Sequence, residues 1–117
     1  MTNDSQATTA SGPPVTFINV FEIDESEIDG FITGWEKRVQ LMAGKPGFID
    51  SRLHRARSAD SRFQLVNVSH WESEEAYQAA TADPAFSSRT QAARDDAKGT
   101  VAPNPALYDV AVAVTAP

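Results

Sequence analysis

The chain has 117 residues, no cysteine, and a formal net charge of −6 from 10 basic and 16 acidic side chains. That length fits one domain, near the size at which burial against a partner helps to sustain a core. The acidic balance argues against nucleic acid and anionic membrane, which both need a basic face, and the missing thiols exclude disulfides, thiolate metal sites and cysteine nucleophiles and agree with a cytoplasmic location.

Met1 to Pro14 is rich in Thr, Ser, Ala and Asn, with neither a basic start nor an apolar run. It reads as a disordered leader ending at Gly12-Pro13-Pro14, not as a secretion signal, and 15–117 reads as one domain. No stretch of the chain approaches the ~18 apolar residues of a membrane helix. Val15 to Ile23, VTFINVFEI, is β-branched and aromatic and predicts a largely buried strand, with Phe17, Asn19, Phe21 and Ile23 on one face. Asp24 and Glu27 have the spacing of a capping box. Ile28, Phe31, Ile32, Trp35, Val39 and Met42 follow at helical spacing, Arg38 and its charged neighbours lie off that stripe, and the helix should stop near Gly44.

Gly47 to Ser58 and Ser61 to Trp71 read as two extended runs joined by the short link Ala59-Asp60, a hairpin. In the second run Phe63, Leu65, Asn67, Ser69 and Trp71 point one way, and Val66, Val68 and His70 the other. Ser73 is an N-cap candidate for a second helix opened by Glu74 and Glu75. Asp83-Pro84 predicts a further helical start, running on to about Lys98-Gly99. Asn104-Pro105 reads as a turn, and Ala106 to Thr115 alternates as a final strand.

The order β-α-β-β-α-β favours an α+β, ferredoxin-like antiparallel sheet with both helices on one face. Val66, Val68 and part of the last strand then form an apolar outer face, which predicts a second subunit, hence a homodimer.

Chemistry-bearing patterns are few. His54 and His70 lack a third ligand at a recognised spacing, so no metal site is expected. There is no G-x-S-x-G, no glycine-rich phosphate loop, and no room for a dinucleotide-binding unit. What remains is polar groups on apolar strands. Asn19 and Asn67 either tie down neighbouring backbone or line a pocket and bond a ligand, since a buried amide left unbonded costs about 1–3 kcal/mol. Trp35 reads as a core aromatic. Trp71 ends a strand where the second helix begins, so its N–H can reach a pocket, and Tyr77 lies inside that helix. His54, with Arg52, Arg55 and Arg57, makes one strand basic within an acidic chain, as a solvated edge would be.

Pro46-Gly47-Phe48, Leu53-His54-Arg55, Val66-Asn67-Val68 and Trp71-Glu72-Ser73-Glu74-Glu75-Ala76-Tyr77 together resemble the antibiotic biosynthesis monooxygenase family, over Val15 to about Thr115. The resemblance implies a ferredoxin-like protomer whose sheet pairs with another in a dimeric α+β barrel. Two branches of the family bear on function. The chain is similar to cofactor-independent anthrone oxygenases at His54, Asn67, Trp71 and Tyr77. An arginine those enzymes use in the second helix has Thr90 in the direct position here, with Arg89 and Arg94 nearest to it. The second branch, the heme-degrading monooxygenases, resembles the chain at Asn19. Its pocket tryptophan falls at Ala80, however, and its heme-ligating histidine near Thr90, so heme loses its anchor to iron.

The first branch implies oxidation of a phenolic anthrone to a quinone with O2 and no cofactor. In that reading His54 is the general base, Asn67 and Trp71 bond an oxyanion, and Tyr77 holds a second oxygen or relays a proton. Asn19 and Arg89 bind substrate, and Phe17, Phe21, Phe31, Trp35 and Leu65 form the apolar walls. A heme-binding or heme-degrading protein is the alternative, as is a non-oxidative polyketide cyclase or isomerase on the same fold.

Overall fold

A computed structural model describes residues 13–86 and 101–117. The leader expected over residues 1–12, the helical continuation toward Lys98, and the positions of Arg89, Thr90 and Arg94 lie outside the described residues. Strand β1 is Val15–Ile23, and its β-branched and aromatic run places it at the centre of the sheet. A 3-10 turn, Glu25–Glu27, precedes helix α1, Ile28–Ala43. The carboxylate of Asp24 accepts the backbone N–H of Ser26 at 3.0 Å, and Glu27 N–H bonds the Asp24 carbonyl at 2.9 Å. Asp24 therefore caps the 3-10 turn, and the α-helix begins a turn later than its first acidic residues suggest. Gly44 ends α1 as expected.

Strands β2, Phe48–Arg55, and β3, Leu65–Trp71, form the hairpin. Its connection is longer than the two-residue link expected. The side chain of Gln64 donates to the carbonyls of Ser58, Ala59 and Ser61. Those bonds satisfy loop backbone that would otherwise have to zip into the ladder. Helix α2, Glu74–Thr81, starts on Ser73, whose hydroxyl accepts Ala76 N–H at 3.1 Å. A further helical turn opens at Pro84, where the Asp83 carboxylate accepts Ala85 N–H at 2.8 Å.

Strand β4 is Val101–Tyr108, earlier in the chain than the alternating pattern of Ala106 to Thr115 predicts. It crosses the Asn104-Pro105 pair that reads as a turn. As an edge strand it tolerates Pro103 and Pro105, which cannot donate to a ladder. Asn104 compensates: its N–H donates to Asn19 Oδ1 at 2.8 Å and its Nδ2 to the Val20 carbonyl at 3.0 Å. Beyond Tyr108 there is no regular structure, and Val110, Val112 and Val114 are exposed.

The four strands run in the order β2-β3-β1-β4, every pair antiparallel, which is the ferredoxin-like α+β arrangement. The register separates two faces. Phe17, Asn19, Phe21, Leu65, Asn67, Ser69, Trp71 and Ser51 share the inner face. Ile18, Val20, Val66, Val68 and His70 share the outer one, with Asp50, Arg52 and His54 of β2. The inner face carries two clusters. Phe21, Ile23, Ile28 and Leu65 form one; Met42, Trp71 and Ala80 form the other.

The Pro46-Gly47-Phe48 block joins these layers. Gly47 has φ +85°, and a Cβ there would sit 2.4 Å from the Ala76 side chain on α2. Both the backbone conformation and the close approach require glycine. Its carbonyl accepts Glu72 N–H at 2.8 Å, and Phe48 meets Trp71 edge-on with ring centroids 5.2 Å apart. Among the described residues no helix is long and apolar enough to cross a membrane.

Candidate active site

A cavity of about 240 Å3 lies between α1 and the inner face of the sheet. Phe31, Trp35, Val39 and Met42 of α1 form one wall, and Phe17 and Phe21 of β1 the opposite one. Tyr77 and Thr81 of α2 and the rings of Pro103 and Pro105 on β4 complete it. Aromatic contacts hold much of this lining in place. Phe17 stacks on Tyr77 at 5.2 Å, Trp71 meets Tyr77 edge-on at 5.8 Å, and Phe21 packs on Phe31 at 4.8 Å.

The polar groups of the cavity form a network at its sheet floor. Ser51 Oγ donates to Asn67 Oδ1 at 2.8 Å, Ser69 Oγ donates to the same oxygen at 3.2 Å, and the two hydroxyls lie 2.8 Å apart. With the amide oxygen accepting from these hydroxyls, its Nδ2 is the remaining donor. That nitrogen has no protein acceptor among the described residues, although Asn67 is 9% exposed. The indole N–H of Trp71, 2% exposed, and the hydroxyl of Tyr77 likewise have no recorded protein partner there. Burial pushes the Tyr77 phenol above its ordinary value, so near neutral pH it is a neutral donor, not a phenolate.

Most of the sequence-predicted site residues converge. Asn19, Asn67, Trp71, Tyr77, Phe17, Phe21, Phe31 and Trp35 all line the cavity. Asn19 also ties β4 to β1 through its bond to Asn104, so it has the backbone-tethering role as well. Two expectations require correction. His54 lies on the outer face of the sheet, opposite Val66, with its Nδ1 3.3 Å from the Val66 carbonyl. Strand alternation turns it away from the cavity, so it is not positioned as a base there. Leu65 is fully buried in the cluster of Phe21, Ile23 and Ile28, where it packs the core and does not line the cavity. Arg89 lies outside the described residues.

Three residues of the site escaped the sequence reading. Ser51 faces Ser69 across the hairpin, and only the bulge between Phe48 and Asp50 sets that register. Ser69 was placed on the correct face but given no role. Arg38 lies four residues past Gly34 and three past Trp35, and its side chain turns back to the cavity wall, with the guanidinium 5.1 Å from the Phe31 ring. Its spacing from Phe31 and Trp35, i+7 and i+3, was the signal available.

The profile of the antibiotic biosynthesis monooxygenase family matches residues 14–91. The chain belongs to that family. A candidate monooxygenase from Shewanella loihica PV-4 is 31% identical, with a TM-score of 0.68 over 86% of this chain and 97% of that one. SnoaB, a cofactor-independent oxygenase from Streptomyces nogalater, is 24% identical, with a TM-score of 0.73 over 88% of this chain and 98% of that one. The heme-degrading protein Rv3592 from Mycobacterium tuberculosis is 23% identical, with a TM-score of 0.61 over 88% and 97%. The likeness to the last two shows a shared fold. Comparison with curated proteins gives no match. A monooxygenase role, and so an oxidoreductase, is the activity class that membership in the antibiotic biosynthesis monooxygenase family supports.

Proposed function

We propose that this antibiotic biosynthesis monooxygenase domain oxidises a phenolic, anthrone-type aromatic substrate to a quinone with O2 and without a cofactor. The observation that carries the reading is the Asn67 amide, locked by Ser51 and Ser69 with its N–H2 left over inside an aromatic-walled cavity. Such a donor, beside Trp71 and a neutral Tyr77, suits an oxygen that gains negative charge during reaction.

The chemistry needs little from the protein beyond that. Loss of a proton from the ring CH2 gives an enolate, whose oxygen takes hydrogen bonds from Asn67 Nδ2 and Trp71 Nε1. No carboxylate and no histidine lines the cavity among the described residues, so water accepts this proton. The donors act by making the C–H more acidic. The enolate passes one electron to O2, and recombination forms the C–O bond of a peroxide. The peroxide takes up one proton, and loss of the second C–H proton then breaks the O–O bond. One oxygen atom stays as the quinone carbonyl and the other leaves as hydroxide, which takes up the other released proton to become water. The apolar walls keep bulk water away from the radical pair, leaving the proton to pass to water at the cavity mouth.

A heme does not fit this donor set. The chain has two histidines and no cysteine, and both histidines are on the outer sheet face. The axial histidine of the heme-degrading resemblance has no equivalent on the cavity wall among the described residues. SnoaB, described as cofactor-independent, is consistent with the cofactor-free reading.

We also infer that the working unit is a homodimer. Ile18, Val20, Val66 and Val68 form an apolar strip on the outer face, and Val110, Val112 and Val114 add exposed apolar side chains beyond β4. Burial of that strip by a second copy removes it from water. A sedimentation mass of one chain at micromolar concentration overturns this inference.

The activity is tested by supplying dithranol under air and following quinone absorbance. The expected result is O2-dependent turnover by the wild type that an Asn67→Ala/Trp71→Ala double variant lacks. Equal rates for the two proteins, or turnover that persists without oxygen, overturn the proposal; the latter favours a non-oxidative cyclase or isomerase.

A further inference from the structure

Arg38 is the one charged side chain on the cavity wall among the described residues. Its surroundings differ from those of the paired cations. Lys45, Arg55 and Arg62 each contact a carboxylate, of Asp83, Asp29 and Glu22 respectively. The last two pairs are largely exposed, where an ion pair contributes least. Arg38 is half-buried and contacts no carboxylate among the described residues. A guanidinium cannot shed its charge, so burial does not resolve itself by deprotonation.

The local geometry keeps this group on the wall. The guanidinium carbon lies over the Phe31 ring, 5.1 Å from its centroid. A cation–π contact uses the charge and leaves the N–H donors free for other partners. Gly34, one turn earlier, lies beside the folded-back side chain. A Cβ built at that position would stand 3.1 Å from Arg38 Nη1. Glycine in a helix interior is unfavourable by about 0.5–1 kcal/mol relative to alanine, and here its missing side chain leaves the space the guanidinium uses.

Planar, in-plane donors match a carboxylate through two parallel hydrogen bonds. We propose that Arg38 forms an anion subsite, and that the natural substrate is an aromatic acid whose carboxylate binds Arg38. The inference rests on the reading of the cavity as a site for a flat aromatic ring system. The carboxylate would supply a counter-charge that the described residues of the wall do not, and would orient the ring between α1 and the Asn67 floor.

Binding, not turnover, tests it. Anthraquinone-2-carboxylate and the neutral anthraquinone-2-carboxamide are titrated calorimetrically into the wild type, Arg38→Met, Arg38→Lys and Gly34→Ala, with thermal melts to establish folding. The wild type should favour the carboxylate by about tenfold or more. Arg38→Met should bring the ratio to about one, and Arg38→Lys, with charge but no fork, should fall between. Gly34→Ala keeps the arginine and the helix but crowds Nη1, and its ratio should drop while its melting temperature does not. Binding of both ligands with the same ratio in wild type and Arg38→Met overturns the anion subsite and leaves the aromatic cavity standing. Failure of the wild type to bind either ligand overturns the cavity reading and the subsite with it.

Discussion

The two faces of this sheet carry similar amounts of polar chemistry and arrange it in opposite ways. On the outer face His70 and Asp50 pair at 2.6 Å with both side chains about half exposed, and Arg52 and His54 stand beside them. On the inner face the cavity floor carries no carboxylate or histidine among the described residues, only Asn19, Ser51, Asn67 and Ser69, and Arg55, on the same face at the end of β2, pairs with Asp29 outside the cavity. Charged and ionisable groups stay where water solvates them, and neutral donors and acceptors go where it does not. The consequence for function is specific. Chemistry in the cavity has hydrogen-bond donors at its disposal and no sheet-borne acid or base.

The largest effect that sharpens this contrast is expected at the seam holding the inner face to α2. Gly47→Ala places a methyl group 2.4 Å from the Ala76 side chain at a backbone φ of +85°. We expect a loss of about 2–4 kcal/mol, read as a lower midpoint in urea unfolding. An unchanged midpoint means that the P-G-F block is not the structural clasp described above.

A smaller effect is expected at the floor. Ser51→Ala/Ser69→Ala removes both hydroxyls that hold the Asn67 oxygen, so the amide can rotate. The turnover rate on dithranol should fall about tenfold, the energy of one ordinary hydrogen bond, with KM little changed. A rise in KM at constant turnover would instead mean that the hydroxyls touch substrate in its ground state.

The smallest effect concerns Tyr77. Burial raises its phenol, so the folded chain favours the neutral form. The stability this contributes is fully present below about pH 10 and is lost as pH rises through the higher folded-state value. A spectroscopic titration of wild type and Tyr77→Phe should therefore differ by a phase above the ordinary tyrosine range. A difference between the two that falls within the ordinary range contradicts a buried Tyr77.

Much of the fold was legible because its signals are local. Ser73, Gly44 and the apolar stripe of α1 act within a turn of themselves, and each stands where the sequence places it. The last strand was misread because its alternation, Ala106 to Thr115, is a pattern without a partner. The paired residues, Val101–Tyr108, contain prolines that only an edge position permits. For the site, side-chain periodicity placed Asn67 with Trp71, and Phe17 with Asn19, on shared faces. His54 entered through the family resemblance, and only the register assigns it to the opposite face. Register itself depends on the bulge at Ile49 and on the Gln64 loop, neither of which leaves a pattern in the chain. Arg38 lies off the apolar stripe in the sequence, and only its spacing from Phe31 and Trp35 points to the cavity wall.

The division between the faces is tested most directly by one pair of variants assayed side by side on dithranol. Asn67→Ala should lower quinone formation about a hundredfold, as loss of an oxyanion donor does, while His54→Ala should change it less than about twofold. A large loss in His54→Ala beside a near-normal Asn67→Ala would contradict that division.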